Sequence, residues 1–328
     1  MGLPKITYCP GTLKQGYSDY SNTAINRVFN GRKVSAILPY ESPASNDLTD
    51  ALFTENRKRI SISGVQVKFS VLLEKNKLRL IQEGEQGQYI LKPIPNVGKN
   101  ANQMPANEHL TMQIARQVFN IETAENALIF FKNGEPAYIT KRFDVTENGS
   151  KLAQEDFATL ASRTPQTHGE DFKYLGNYLD VFHLLKTFTP AYTIESIKLF
   201  KLVLFNFLFS NGDAHFKNFS LIETPYGDFK LSPAYDLLNS RLHIDDNDFA
   251  LTDGLLPPRL AQGKTAVQFF VLGEQAEIHK RQIENIFNEL TSKQDEVLSL
   301  IEASFLNEKS KKNYTQTYQT RLKKLLRP

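Results

Sequence analysis

The sequence predicts an α+β fold in two lobes, the first rich in strands and the second mainly helical. Two patterns carry this. Apolar residues alternate with period two in short runs between about residues 60 and 145, and after Asn148-Gly149-Ser150 they recur at helical spacing. The third observation is a single helical stretch set among those strands, Ala106–Phe119, whose Leu110, Ile114, Ala115 and Val118 fall on one face. The lobe boundary is expected near residue 146, giving a β-rich lobe 1–146 and a helical lobe 147–328.

Along the chain, residues 1–60 read as polar loops with short apolar pieces and no repeat. Strands are expected over Val65–Leu73, Tyr89–Lys92, Leu128–Phe131 and Ala137–Phe143. Helices are expected over 152–162, 171–188, 193–210, 264–290 and 292–325. Within the third, Leu199–Phe209 is apolar nearly all round, the pattern of a buried helix. Phe219–Ile222 and Phe229–Leu231 flank Pro225-Tyr226-Gly227-Asp228, which reads as a β-hairpin.

Composition sets bounds. Hydrophobic content of 41% and charged content of 23% suit a water-soluble globular protein with a substantial core. The single cysteine, Cys9, excludes an intrachain disulfide and points to a reducing, cytoplasmic setting. One cysteine and six histidines argue against a zinc site, and a net charge of +3 is too mild to argue for nucleic acid. The opening residues lack the apolar core of a signal peptide, and no stretch is long and apolar enough for a membrane span.

The chemistry concentrates in Ser210-Asn211-Gly212-Asp213-Ala214-His215-Phe216-Lys217-Asn218. It spaces Asp213 and Asn218 as Asp-x4-Asn, the spacing of a kinase catalytic loop, where the Asp accepts the proton of the attacking hydroxyl and the Asn binds Mg²⁺. A bare Asp-x4-Asn is common by chance. Here a buried helix precedes it, a hairpin follows it, and the hairpin delivers Asp236 where a second metal-binding carboxylate belongs. The order is that of a two-lobed protein-kinase-like fold, with ATP and Mg²⁺ between β-rich and helical lobes.

Phosphoryl transfer also needs the phosphates clamped. Lys92, ending a strand, can reach the α- and β-phosphates, and Glu108 on the following helix is its expected ion-pair partner. Taken singly, they also read as a surface lysine and an exposed helix glutamate. Ser61–Lys68 is the candidate phosphate loop; it lacks Gly-x-Gly-x-x-Gly, and only Gly64 permits close backbone approach. Ser63, Gly64, Val65, Gln66 and Lys68 are its candidate contacts, although an ordinary turn entering a strand would look the same. Lys141 and Phe143 sit where an interlobe hinge would meet adenine. His215 and Lys217 are candidates to contact phosphate or orient Asp213.

These segments resemble the HipA family of bacterial toxin serine/threonine kinases. The matching stretches are Ser61–Lys68, Ile90–Pro93, Ala106–Glu108, Lys141–Asp144, Gln154–Phe157, Asn211–Asn218 and Ser232–Leu238. The resemblance implies a catalytic Asp213, metal ligands Asn218 and Asp236 in a catalytic loop 211–218 and a metal-binding segment 232–238, and nucleotide contacts from 61–68, Lys92, Lys141 and Phe143. Only 60 residues precede Ser61, and with the Ser-Ile-Ser pattern this is similar to the short HipT branch of three-gene systems. That branch implies a small HipS-like antitoxin supplying an N-terminal subdomain, a HipB-like helix-turn-helix protein as the link to DNA, and an aminoacyl-tRNA synthetase (tryptophanyl- or glutamyl-type) as substrate. It also marks Ser61 and Ser63 as expected autophosphorylation sites. A phosphate there adds about −1.5 to −2 charges where nucleotide phosphates would sit. Two other readings stay open: a nucleotide-binding pseudokinase that assembles complexes, and a lipid or small-molecule kinase.

Overall fold

The computed structural model describes residues 4–43, 67–96, 98–245 and 247–326. It divides into two compact units: Met1–Gln113 with Ala124–Ser150 and Ser299–Lys311, and Ile114–Thr123 with Lys151–Leu298 and Lys312–Pro328.

The first unit is built on an antiparallel five-stranded sheet. In chain order the strands are β1 (Phe69–Glu74), β2 (Lys77–Leu80), β3 (Tyr89–Pro93), β4 (Asn126–Phe130) and β5 (Pro136–Lys141), arranged β2-β1-β3-β5-β4. Register follows the apolar alternation: Leu91 faces Phe69 on β1 and Ile139 on β5, and all three are fully buried. Sequence reading placed three of these strands within two residues of either end and missed β2. Leu78 and Leu80 are its buried face, but two apolar residues beside a Lys75-Asn76 turn are too short a signal.

The segment expected to be loop contains a helix, Asn22–Phe29. Ser21 caps it by accepting from the Ala24 amide, and Asn30, at φ 52°, closes it in the left-handed region that Asn tolerates. Val28 and Phe29 join Tyr20, Phe69, Val71, Tyr89 and Ile139 in the core of this unit. A further helix, Met104–Gln117, carries Glu108.

The second unit has a three-stranded antiparallel sheet of β6 (Gln154–Asp156), β7 (Ser220–Glu223) and β8 (Phe229–Leu231), in that order. The β7–β8 hairpin is the one its turn residues predict, with Leu221 opposite Leu231. β6 is a correction: residues 152–162 are not one helix. Gln154–Asp156 pairs with β7, and the Asp156 side chain then caps a single turn, Phe157–Leu160, by accepting from the Thr159 amide. Helix Tyr192–Leu208 is buried as its composition predicts, and Leu199, Phe200, Leu204, Phe205 and Leu208 are fully withdrawn from water. Its buried Glu195 accepts from the Leu231 amide at 3.1 Å and from Lys198 at 2.7 Å, which ties β8 to the helix.

The longer helical stretches are broken. Residues 264–290 fold as Thr265–Gln275 and Lys280–Ser292, and 292–325 as Gln294–Ala303 and Glu308–Leu326. At Gly273 an added Cβ would lie 2.5 Å from Ile283, so the first of these pairs packs as closely as it does only around glycine. Aromatic rings fill the interior of this unit: Phe205 stacks on Phe209 at 4.4 Å, Phe209 on Tyr318 at 5.1 Å and Phe207 on Phe249 at 5.3 Å. Among the described residues no helix is long and apolar enough to cross a membrane.

Candidate functional site

Helix Tyr192–Leu208 ends where the Asp-x4-Asn loop begins, and the turn out of it is strained. Ser210 sits at φ 53°, a left-handed conformation unfavourable to serine. Three groups hold it there. The Ser240 backbone N–H and hydroxyl both donate to the Ser210 carbonyl, at 3.0 and 2.8 Å, and the buried Arg321 donates through Nε to the Ser210 hydroxyl at 3.2 Å. The Ser240 hydroxyl also accepts from the Gly212 amide at 2.9 Å, so one side chain bridges the entry of the loop. Asn211 reaches back to Asn206 at 3.1 Å and across to the Asp236 carbonyl at 3.3 Å.

Asp213 is half-buried, with 46% of its side chain accessible. Its Oδ1 accepts a hydrogen bond from the Tyr174 hydroxyl at 2.7 Å, and His215 Nε2 stands 3.8 Å from the same oxygen, beyond hydrogen-bonding distance. Burial pushes the His215 imidazole down to about 4, only partly opposed by Asp213, so the ring is neutral near pH 7. Its Nδ1 is buried without a hydrogen-bond partner among the described residues. The Tyr174 and His215 rings pack edge to face with their centroids 5.0 Å apart. Tyr174 escapes sequence reading altogether: nothing in Asp171-Phe172-Lys173-Tyr174 marks it.

Asn218 and Asp236 are brought together from either side of the hairpin, with Asn218 Nδ2 3.5 Å from Asp236 Oδ2. Asp236 also adopts a left-handed backbone, φ 55°. Beside it, Tyr235 is fixed between the Lys217 carbonyl, to which it donates at 2.9 Å, and the Ser220 hydroxyl. Burial drives the Tyr235 phenol far above its ordinary range, so it serves as a neutral strut. Among the described residues no group of three or more His, Cys, Asp or Glu side chains could hold a metal. The fit for a hard cation rests on a different donor set. The Asn218 carboxamide oxygen is buried with no hydrogen-bond partner among the described residues, on the side chain whose Nδ2 stands 3.5 Å from Asp236 Oδ2. Oxygen donors of this kind are what Mg²⁺ takes, with phosphate and water completing its shell.

Lys217 lies 4.0 Å from Asp156 Oδ2, with its ammonium over the Phe172 ring at 5.9 Å.

In the first unit Lys92 Nζ is 2.6 Å from Glu108 Oε1, and both side chains are almost fully buried. The ammonium also faces the Tyr138 ring at 5.4 Å. Lys141 ends β5; its amide donates to the Glu125 carbonyl at 2.7 Å and its ammonium to Asn30 at 2.6 Å. Phe143 is half-buried in the following turn, and Lys68 is half-buried just ahead of β1. Ser61, Ser63, Gly64, Val65 and Gln66 lie outside the described residues.

The model of the HipA-like C-terminal domain family matches residues 60–298. The chain belongs to that family. Three curated relatives are similar to this chain. One is a protein of Haemophilus influenzae named "Putative kinase", 24% identical over 245 residues, covering 73% of this chain and 68% of that one. The others are "Putative kinase Y4dM" and "Putative kinase Y4mE" of Sinorhizobium fredii, 34% and 28% identical over 60% and 57% of this chain. The chain spans about half the length of these two, 48% and 44%. Among solved structures the fold is shared with the Shewanella oneidensis HipA chain, whose structure is a complex with HipB and operator DNA. The TM-score is 0.60 at 19% identity, over 80% of this chain and 63% of that one. It is shared also with the Helicobacter pylori proinflammatory kinase CtkA, TM-score 0.51 at 14% identity, over 80% and 92%. The α+β class and the HipA-like resemblance read from sequence agree with these matches; the HipT branch is not distinguished by them.

Proposed function

We propose that this HipA-like chain is an ATP-dependent protein serine/threonine kinase of a toxin–antitoxin system. The observation that supports it most is the approach of Asn218, in the loop that also carries Asp213, to Asp236 at 3.5 Å, with the Asn218 carboxamide oxygen buried and unpartnered among the described residues. In this reading Asp213 accepts the proton of the acceptor hydroxyl as that oxygen attacks the γ-phosphorus and ADP leaves. Asn218 and Asp236 would hold Mg²⁺, which when bound neutralises charge on the transferred phosphoryl group. Lys92, oriented by Glu108, is the phosphate-clamping lysine. The loop 61–68 is proposed to cover the phosphates, with Ser61 and Ser63 as autophosphorylation sites. His215, neutral near pH 7, is better suited to shape the site than to neutralise phosphate.

The finer parts of the proposal rest on family kinship: an aminoacyl-tRNA synthetase as the acceptor, a HipB-like DNA-binding partner, and a small HipS-like antitoxin. Intact-protein mass spectrometry of the purified chain and of candidate synthetases after Mg²⁺·ATP addition tests the reading. Addition of phosphate to a synthetase serine supports it. ATP binding without any transfer would leave a pseudokinase in its place.

A further inference from the structure

Asp213 is hydrogen-bonded by a residue far from it in sequence. Residues 169–176 form an irregular segment docked on the catalytic loop. The Lys173 carbonyl accepts from the Phe216 amide at 3.1 Å, and the Tyr174 carbonyl accepts from the Thr252 amide at 2.9 Å. Arg163 packs its guanidinium over the Phe216 ring at 4.2 Å and donates to the Leu175 carbonyl, fixing the far side of the same segment. Tyr174 is therefore held by its backbone on one side and by its ring against buried His215 on the other. From that fixed position its hydroxyl meets Asp213 Oδ1 at 2.7 Å.

A half-buried carboxylate without a fixed partner can rotate about its Cβ–Cγ bond and present either oxygen in several directions. A general base must present one oxygen to the acceptor hydroxyl within hydrogen-bonding distance, and misplacement by about 1 Å can cost up to about 100-fold. We propose that Tyr174 is the positioning residue of this site: its hydroxyl, with the His215 ring beside it, engages Oδ1 of Asp213 and leaves Oδ2 directed at the acceptor. The same phenol excludes an acceptor from Oδ1, so it also sets the side from which the hydroxyl must approach. The inference rests on the kinase reading above and adds to it the device that orients its base.

The test is a double-mutant cycle on the full chain, using transfer of labelled phosphate from Mg²⁺·ATP. Tyr174→Phe keeps the ring against His215 and removes only the hydroxyl. It is expected to lower kcat by about 10- to 100-fold while KM for ATP and the thermal midpoint stay near those of the wild type. In an Asp213→Asn background the same change should add nothing, because two residues acting as one unit are not additive. Unchanged kcat in Tyr174→Phe, or an equal loss in both backgrounds, overturns the positioning role. A loss of thermal stability in Tyr174→Phe that matches the fall in kcat also counts against it, since a purely structural residue behaves so. A wild-type chain that binds no ATP and transfers no phosphate would instead defeat the kinase reading, and the two failures are distinguished by the wild-type lane alone.

Discussion

Lys92 Nζ and Glu108 Oε1 lie 2.6 Å apart with both side chains almost completely removed from solvent. Breaking such a pair leaves a buried charge without compensation, which costs about 3–5 kcal/mol. Glu108→Ala should lower the urea midpoint by a corresponding amount. The double replacement Lys92→Met with Glu108→Leu should regain most of that stability yet fail to bind ATP. A stable double variant that binds ATP as well as the wild type would remove Lys92 from the nucleotide site.

Acid sensitivity follows from the buried histidines. The fold depresses His215 to about 4 and His109 to about 3, through burial in both cases. A depressed base is neutral in the folded chain but takes up a proton at pH 6.5 in the unfolded one. Its contribution is therefore fully present above pH 6.5 and is lost as pH falls from 6.5 toward the folded value. For His215 that is at most about 3 kcal/mol at ~1.36 kcal/mol per pH unit. His109→Leu should flatten the stability curve between pH 6.5 and 4, as read by urea unfolding at each pH. A slope there equal to that of the wild type would show that His109 is not buried neutral.

Asp248 joins three cations: Arg321 at 2.5 Å, Lys324, and Arg241 at 3.6 Å. Burial alone would raise its carboxyl, but the hydrogen bond and charge of Lys324 and the charge of Arg321 outweigh that, leaving it below the ordinary range. A depressed acid stabilises the fold above its unfolded pKa and loses that contribution as pH falls through the folded value. Asp248→Asn should therefore destabilise the chain at pH 7 and lose less stability on acidification. Arg321 also holds strained Ser210, so Arg321→Met should lower phosphoryl transfer as well as stability. Normal transfer by a destabilised Arg321→Met chain would detach the C-terminal helix from the loop's geometry.

Much of this site was legible because its signals are local. Asp213 and Asn218 share one loop, the Pro225–Asp228 turn announces the hairpin, and the unbroken apolar run Leu199–Phe209 announces the buried helix. What escaped depends on tertiary placement. Tyr174 sits 39 residues from Asp213 and its neighbours carry no motif. Strand β6 was read as helix because Gln154-Glu155-Asp156 has no strand propensity; pairing with β7 makes it a strand. Helix Asn22–Phe29 is short, and its evidence is a serine cap and an asparagine stop rather than periodicity.

Metal dependence separates the roles of the two acids. Asp236→Asn should weaken ATP binding in the presence of Mg²⁺ and leave the Mg²⁺-free affinity nearly unchanged. Equal affinity with Mg²⁺ present in wild type and variant would take Asp236 out of the metal site.

The most direct test of the whole account is transfer of labelled γ-phosphate from Mg²⁺·ATP, to the chain itself and to candidate synthetases, comparing wild type with Asp213→Gln. The wild type should transfer phosphate, and the variant should lose about 10²–10⁴-fold in rate with ATP still bound. Transfer by Asp213→Gln at the wild-type rate would contradict it.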